Sequence, residues 1–199
     1  MEFLFQPNVY ATGKGSTLLG MLERMWLRER RDGGGTFYII SGFANYNGGV
    51  RFYPSFLEHT KKGGRIVAVI SGSTSKKLSS VQVAEALLDC GADLFVVHRK
   101  RLLHAKCYGT ADAHGQDLIV TSGNFTGPGV AQNAESALIL RRDEVAAMGF
   151  SWEQLLGNIF AQGWEIYNLK KADIKKKRSP GWELLYDEVR DAKTAEAEL

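Results

Sequence analysis

The fold is decided by three short runs of the sequence: TFYIISGF (36–43), RIVAVI (65–70) and DLFVV (93–97). Each run is apolar and rich in β-branched or aromatic residues, which is typical of buried strands. Apolar residues at helical spacing precede and separate these runs, from Leu18 towards the glycines at 33–35, over 52–61 and over 78–89. Strands that alternate with helices in this way predict an α/β fold around a largely parallel sheet.

The pattern changes after residue 97. Three β-like segments follow one another with no helix of ordinary length between them, at 102–109, 118–121 and 136–140. We therefore expect a mixed sheet, flanked by helices. Helical spacing of apolar residues resumes between Trp152 and Tyr167, which is typical of a helix that packs on the core.

The composition is that of an ordinary globular protein. The 199 residues, 44% hydrophobic and 24% charged, are enough for one domain with a sizeable core. We expect this domain over residues 1–169, followed by a basic segment and a last short helix over 170–199. Neither a signal-peptide pattern nor a run of about 18 apolar residues is visible, which predicts a cytoplasmic protein that does not span a membrane.

The chain has two cysteines, Cys90 and Cys107, and no Cys/His spacing typical of a zinc site. We expect both to be free, buried thiols in a reduced protein. The sequence therefore predicts neither a metal nor a cofactor. The formal net charge of +3 is compatible with a nucleic-acid partner without requiring one.

Four polar residues recur at fixed distances along the second half of the chain. Lys106 follows His104 by two residues, Asn124 follows His104 by 20 within the segment TSGNF, and Glu135 lies 11 residues further on. In a strand, His104 and Lys106 would point to the same face. Histidine can act as a nucleophile or an acid, and lysine and asparagine can hold phosphate oxygens. The set suits attack on a phosphodiester.

The other histidines lack this context. His59 and His98 also begin a His-x-Lys triplet, but 20 residues later the chain has Ser79 and Leu118 rather than an asparagine. His114 precedes a glycine in a predicted hairpin turn. We expect these three to have structural roles.

The His-x-Lys triplet, the Ser-x-Asn-Phe element and the downstream glutamate together resemble the phospholipase D superfamily. Their spacing is most similar to the catalytic domain of the metal-independent restriction endonucleases of the BfiI type, over roughly residues 37–140. The fuller superfamily signature has an aspartate five residues after the lysine, where this chain has Ala111 and places Asp112 one step later. Thr121 stands where a glycine is usual. Restriction-type members of the superfamily also lack that aspartate. Its absence here therefore favours a nuclease over a lipid hydrolase.

The resemblance implies a metal-independent mechanism and a role in that mechanism for each of these residues. His104 would become a phosphohistidine, Lys106 and Asn124 would hold the phosphoryl oxygens, and Glu135 would orient the imidazole. Ser122 would either bond the phosphate or support the loop. Superfamily enzymes use two copies of the motif and this chain has one, so we expect a homodimer whose second His104 is the general acid.

DNA is the expected substrate, because a basic run at 99–101 lies just before the motif and a second, at 170–178, follows the last strong helical pattern. For the second run, plain surface solvation is an equal alternative. No target-reading module is recognisable, which leaves nonspecific cleavage or guidance by a separate helicase or DNA-recognition subunit within a restriction or defence system. Two other functions stay open. One is a phospholipase or phosphatidyl transferase of the same superfamily, and the other is a nucleic-acid-binding effector module without turnover.

Overall fold

A computed structural model describes residues 1–6, 17–29, 33–98, 103–171 and 180–190. Within these residues, eight strands form one sheet: β1 (Glu2–Gln6), β2 (Thr36–Ser41), β3 (Arg65–Ser71), β4 (Asp93–His98), β5 (Lys106–Asp112), β6 (Gly115–Thr121), β7 (Glu135–Leu140) and β8 (Glu165–Leu169). Their order across the sheet is β1-β7-β6-β5-β2-β3-β4-β8.

Seven α-helices of the described residues lie between or beside these strands: α1 (Leu18–Glu23), α2 (Tyr46–Gly49), α3 (Tyr53–Lys61), α4 (Val81–Asp89), α5 (Gly127–Ala131), α6 (Arg142–Met148) and α7 (Trp152–Phe160). A π-helical turn, Arg24–Arg28, continues α1. Hydroxyl side chains begin four of the helices by accepting a hydrogen bond from a backbone amide of the first turn, at Thr17, Ser80, Thr126 and Ser151.

The sheet confirms the predicted mixed α/β fold, although its parallel part is smaller than expected. β2, β3 and β4 are parallel to one another, and the other five of the seven neighbouring pairs are antiparallel. A two-residue turn joins β5 to β6, and the short α5 is the helix between β6 and β7. Neither connection contains a crossover helix of ordinary length, so β5, β6 and β7 are antiparallel neighbours.

Two predicted elements have different bounds in the structure. β5 begins at Lys106 rather than at residue 102, so His104 precedes the strand. The expectation that His104 and Lys106 share a strand face is therefore wrong. The helical stripe predicted from Trp152 to Tyr167 ends at Phe160, because Gly163, with a φ of 66°, lets the chain turn back. Tyr167 lies instead in β8, which pairs with β4.

Both faces of the sheet carry an apolar core. On one face the fully buried Trp26 packs edge-on against Phe52 and Phe56, with ring centroids 5.1 and 5.3 Å apart. On the other, Trp152 stacks on Tyr38 at 4.6 Å. Edge-to-face and stacked pairs of this kind add about 1 kcal/mol each beyond the burial of their area.

The described part of the C-terminal segment packs on the first of these cores through Trp182, Leu184 and Leu185. The basic run predicted at 170–178 falls outside the described residues after Lys171. Cys90 and Cys107 are free, and burial raises the pKa of each thiol to about 11. No helix of the described ranges is both long and apolar enough to cross a membrane.

Candidate active site

One end of the sheet brings the predicted site residues together. β2, β3, β4 and β6 finish at this end, whereas β5 and β7 begin there, because each runs antiparallel to its neighbours. We call it the motif end. His104 and Lys106 lie there at the start of β5, Ser122 and Asn124 follow β6, and Glu135 begins β7.

Lys106 is a buried cation at the motif end, with 5% of its surface exposed. Its Nζ donates a hydrogen bond to the backbone carbonyl of His104 at 2.9 Å. Burial lowers the pKa of Lys106, and the nearby negative charge of Glu135 acts in the opposite direction. The amine is therefore held in a fixed position in surroundings of low polarity, where its charge would act strongly on a bound anion.

The His104 side chain is exposed at the motif end, while its backbone is tightly packed. The preceding carbonyl, of Leu103, accepts a hydrogen bond from the Ser71 hydroxyl at 3.1 Å. Gly42 fits closely against the same segment: a Cβ there would lie 2.6 Å from the Leu103 carbonyl oxygen and 3.4 Å from the His104 Cα. Among the described residues, no hydrogen bond or ion pair reaches the imidazole, which is therefore open to a substrate.

Asn124 is oriented by the loop after β2. Its Oδ1 accepts a hydrogen bond from the backbone amide of Phe43 at 3.1 Å. A backbone amide can only donate, so the side-chain oxygen must face it and the NH2 group points elsewhere. The next residue is fixed in the same way, because the Phe125 amide donates to the Ser41 hydroxyl at 2.9 Å. Asn124 can thus donate to a phosphate oxygen.

Ser122 and Glu135 are bonded to each other. The Ser122 hydroxyl donates a short hydrogen bond to Glu135 Oε2 and accepts one from the Ser136 amide at 3.0 Å. The Asn133 side chain donates to Glu135 Oε1 at 3.3 Å. No bond between Glu135 and the His104 imidazole is present among the described residues. In this structure Ser122 supports the loop and the carboxylate.

The chain shares its fold with solved structures. No protein-family model matches the sequence, and no curated protein is detectably similar to it. Nuc from Salmonella typhimurium, a phospholipase D family member, aligns with 84% of this chain and 97% of its own length at 14% identity and a TM-score of 0.54. NucT from Helicobacter pylori aligns with 83% and 98% at 11% identity and a TM-score of 0.55.

Phosphatidylserine synthase from Haemophilus influenzae aligns over 99% of this chain, which spans 46% of that enzyme, at 11% identity and a TM-score of 0.58. This chain has a phospholipase D-like fold. Identities this low establish the fold alone. The His-x-Lys triplet lies at the start of β5 and the Ser-x-Asn element directly follows β6, its neighbour in the sheet.

Several residues of the site were not predicted from the sequence. Ser41 and Gly42 at the end of β2, and Ser71 at the end of β3, hold the segments that carry His104 and Asn124. A signal was present: both strands end in Ser-Gly, at 41–42 and 71–72. A polar Ser-Gly pair at the carboxyl end of an apolar strand favours close backbone approach at that point.

The remaining histidines have other surroundings. His59 is buried and stacks on Phe37 with ring centroids 3.9 Å apart. His98 Nδ1 lies 2.9 Å from Glu165 Oε2, and His114 is in the turn between β5 and β6.

Asp112, which is one residue from the superfamily's aspartate position, lies at the opposite end of β5 from Lys106. Burial by itself would raise the pKa of Asp112, but the His114 amide and the Arg142 guanidinium, 2.9 Å away, outweigh it and lower the pKa. A cavity of about 440 Å³ also lies at that end, lined by Asp112, Asp117 and Arg141 among others. Within the described ranges, no group of three or more His, Cys, Asp or Glu residues could hold a metal ion.

Proposed function

We propose that this protein is a metal-independent DNA endonuclease that hydrolyses phosphodiester bonds through a phosphohistidine at His104. The observation that carries the proposal is the grouping at the motif end of an open imidazole, the buried cation of Lys106 and the free amide of Asn124. The fold that it shares with Nuc, a phospholipase D family member, supports the same chemistry. The similarity of spacing to BfiI-type enzymes further suggests a restriction or defence system, with a separate helicase or recognition subunit.

The reaction would proceed in two displacements. A neutral His104 ring nitrogen attacks phosphorus, and the bond from phosphorus to the leaving oxygen breaks as that oxygen takes a proton from a general acid. Water then attacks phosphorus, gives a proton to the same group and releases the histidine. Lys106 and Asn124 stabilise the charge on the phosphoryl oxygens in both steps.

The general acid has to come from a second subunit, because the motif occurs once in the chain. An exposed apolar surface beside the motif end supports a homodimer. Phe3, Phe5 and Val120 are 71%, 56% and 43% exposed. Phe5 pairs with Ser136 across β1 and β7, next to Glu135. A second copy that covers this face would bury it and bring a second His104 towards the first.

Plasmid DNA in excess EDTA provides the test. We expect the wild-type protein to nick or cut the plasmid, and His104→Ala to leave it intact while keeping the wild-type circular dichroism spectrum and melting temperature. Activity that EDTA abolishes and magnesium restores would overturn the mechanism, as would wild-type cleavage by His104→Ala. DNA that is bound and never cut would favour an effector module without turnover.

A phosphatidyl transferase is the second candidate, favoured by the alignment of the whole chain with phosphatidylserine synthase. The same His104, Lys106 and Asn124 could pass a phosphatidyl group to an alcohol instead of water. Phospholipid vesicles incubated with glycerol distinguish the two functions. Headgroup exchange without any DNA cleavage would favour the transferase.

A further inference from the structure

A second polar pocket lies at the motif end, beside His104. Its volume is about 250 Å³, and it is lined by residues 71–76 together with Val97, His98 and Leu103. It therefore sits outside the carboxyl ends of the parallel strands β3 and β4. In open α/β sheets this crevice is the usual place for a ligand.

The pocket and the proposed nucleophile share a wall. Leu103 lines the pocket and directly precedes His104. The Ser71 hydroxyl, on the pocket side, donates to the Leu103 carbonyl at 3.1 Å. A ligand larger than one phosphate that lies over His104 would therefore extend into this pocket.

The chemistry of the pocket suits a second phosphate. The loop 71–76, SGSTSK, offers hydroxyl groups and one cation. Ser73 and Ser75 hydroxyls lie 3.3 Å apart, and the Ser75 amide donates to the Ser73 hydroxyl at 3.2 Å. Thr74 and Lys76 are exposed, and among the described residues their side chains have no hydrogen-bond or ion-pair partner. Hydroxyls and an ammonium group are the usual partners of backbone phosphates and sugars.

The opposite wall carries His98, whose ring is already bonded. His98 Nδ1 lies 2.9 Å from Glu165 Oε2, so this histidine is tied to β8. Of the described residues that line the pocket, Lys76 is the one lysine or arginine. The described part of the pocket therefore offers the ammonium group of Lys76 and several hydroxyl groups, which suit one phosphate of a sugar-phosphate chain.

We infer that this pocket, the 71–76 pocket, binds the phosphate next to the scissile one on the same DNA strand. Because it rests on the proposed function, the inference names the substrate class of that site: a polynucleotide with at least two consecutive phosphates. A diester with a single phosphate would occupy the His104 position and leave the 71–76 pocket empty.

Two substrates distinguish the role of the 71–76 pocket from that of the His104 position. Bis(p-nitrophenyl) phosphate has one phosphate, whereas a DNA oligonucleotide fills both positions. For Lys76→Ala and Thr74→Ala we expect unchanged hydrolysis of the small diester and a KM for the oligonucleotide raised roughly three- to tenfold. For Lys76→Ala, the plot of log KM against log salt concentration should also lose about one unit of slope, as expected for one lost phosphate contact.

Lys61→Ala is the matched control, since Lys61 is an exposed lysine at the end of α3, away from the motif end. The inference is overturned if Lys76→Ala behaves like Lys61→Ala with DNA, or if it slows both substrates equally. A wild-type protein that hydrolyses neither substrate would instead refute the proposed function. Binding of the oligonucleotide, measured by fluorescence anisotropy, would then still test the pocket, because Lys76→Ala has to weaken it.

Discussion

Lys106 is the residue at which function and stability are opposed. Its side chain is buried and its pKa is lowered by that burial. A lysine whose pKa is lower in the folded protein than in the unfolded chain destabilises the fold at every pH at which it is charged in both states. This penalty disappears as the pH rises from the folded pKa to the unfolded one. Phosphoryl transfer nevertheless needs the positive charge at this position.

Lys106→Met should therefore lose activity and gain stability. We expect kcat to fall by about 100- to 1,000-fold, the range for loss of one preorganised donor to a charged transition state. Urea unfolding at pH 7 should show a higher free energy of unfolding than the wild type, with the difference shrinking at alkaline pH. A destabilised variant with normal turnover would mean that Lys106 has a purely structural role.

Glu135→Gln tests how the carboxylate acts on the same lysine. The charge of Glu135 raises the pKa of Lys106 and so partly offsets the effect of burial. Without that charge, Lys106 should lose its proton at a lower pH. We expect the alkaline limb of the profile of kcat/KM against pH, measured with bis(p-nitrophenyl) phosphate, to move to lower pH. A limb that stays in place would show that Lys106 does not control it.

The local sequence pattern predicted most helices and strands. Apolar runs, and the residues that end a helix or a strand, can both be recognised within a short stretch of sequence. β2, β3 and β4 fall within one or two residues of their apolar runs. The start of β5 was misplaced because the apolar residues before Lys106 continue the strand pattern, whereas in the structure Leu103 and His104 lie closely against Gly42 and precede the strand. That approach joins residues about 60 positions apart, so no sequence window contains it.

Gly42→Ala should disturb the site at this junction. Its Cβ would lie 2.6 Å from the Leu103 carbonyl oxygen, so the segment carrying His104 has to move. We expect at least tenfold lower activity and about 1–3 kcal/mol lower stability, which is the usual range for overpacking. In Gly157→Ala, within α7, the new Cβ meets nothing within 4 Å. That control should keep full activity and gain up to about 1 kcal/mol; equal behaviour of the two variants would contradict the assigned role of Gly42.

At the scale of the whole molecule, the sequence predicted the α/β class and the motif residues that share a site, but neither the order of the strands nor the end of the sheet at which the site lies. Three of the five antiparallel pairs, β1 with β7, β2 with β5 and β4 with β8, depend on contacts between segments far apart in the sequence. The pairing of β1 also creates the exposed face of Phe3 and Phe5 on which the proposed homodimer depends.

The double variant Phe3→Asp/Phe5→Asp should be monomeric and inactive, because buried carboxylates oppose association and one subunit has one His104. Both side chains are exposed in the single chain, so its melting temperature should change little at a concentration where the wild type is monomeric. Met148→Asp, which alters an exposed apolar residue of α6, is the control and should stay dimeric. Sedimentation velocity checks both. A double variant that remains an active dimer would place the interface elsewhere.

The covalent intermediate is the central claim, and intact-protein mass spectrometry tests it most directly. Wild-type protein is mixed with bis(p-nitrophenyl) phosphate in EDTA and quenched in alkali, in which phosphohistidine survives. We expect a mass increase equal to one p-nitrophenyl phosphoryl group, located on the peptide that contains His104 and absent from His104→Ala. Product release at the wild-type rate with no adduct on His104, or with an adduct on another residue, would contradict the mechanism.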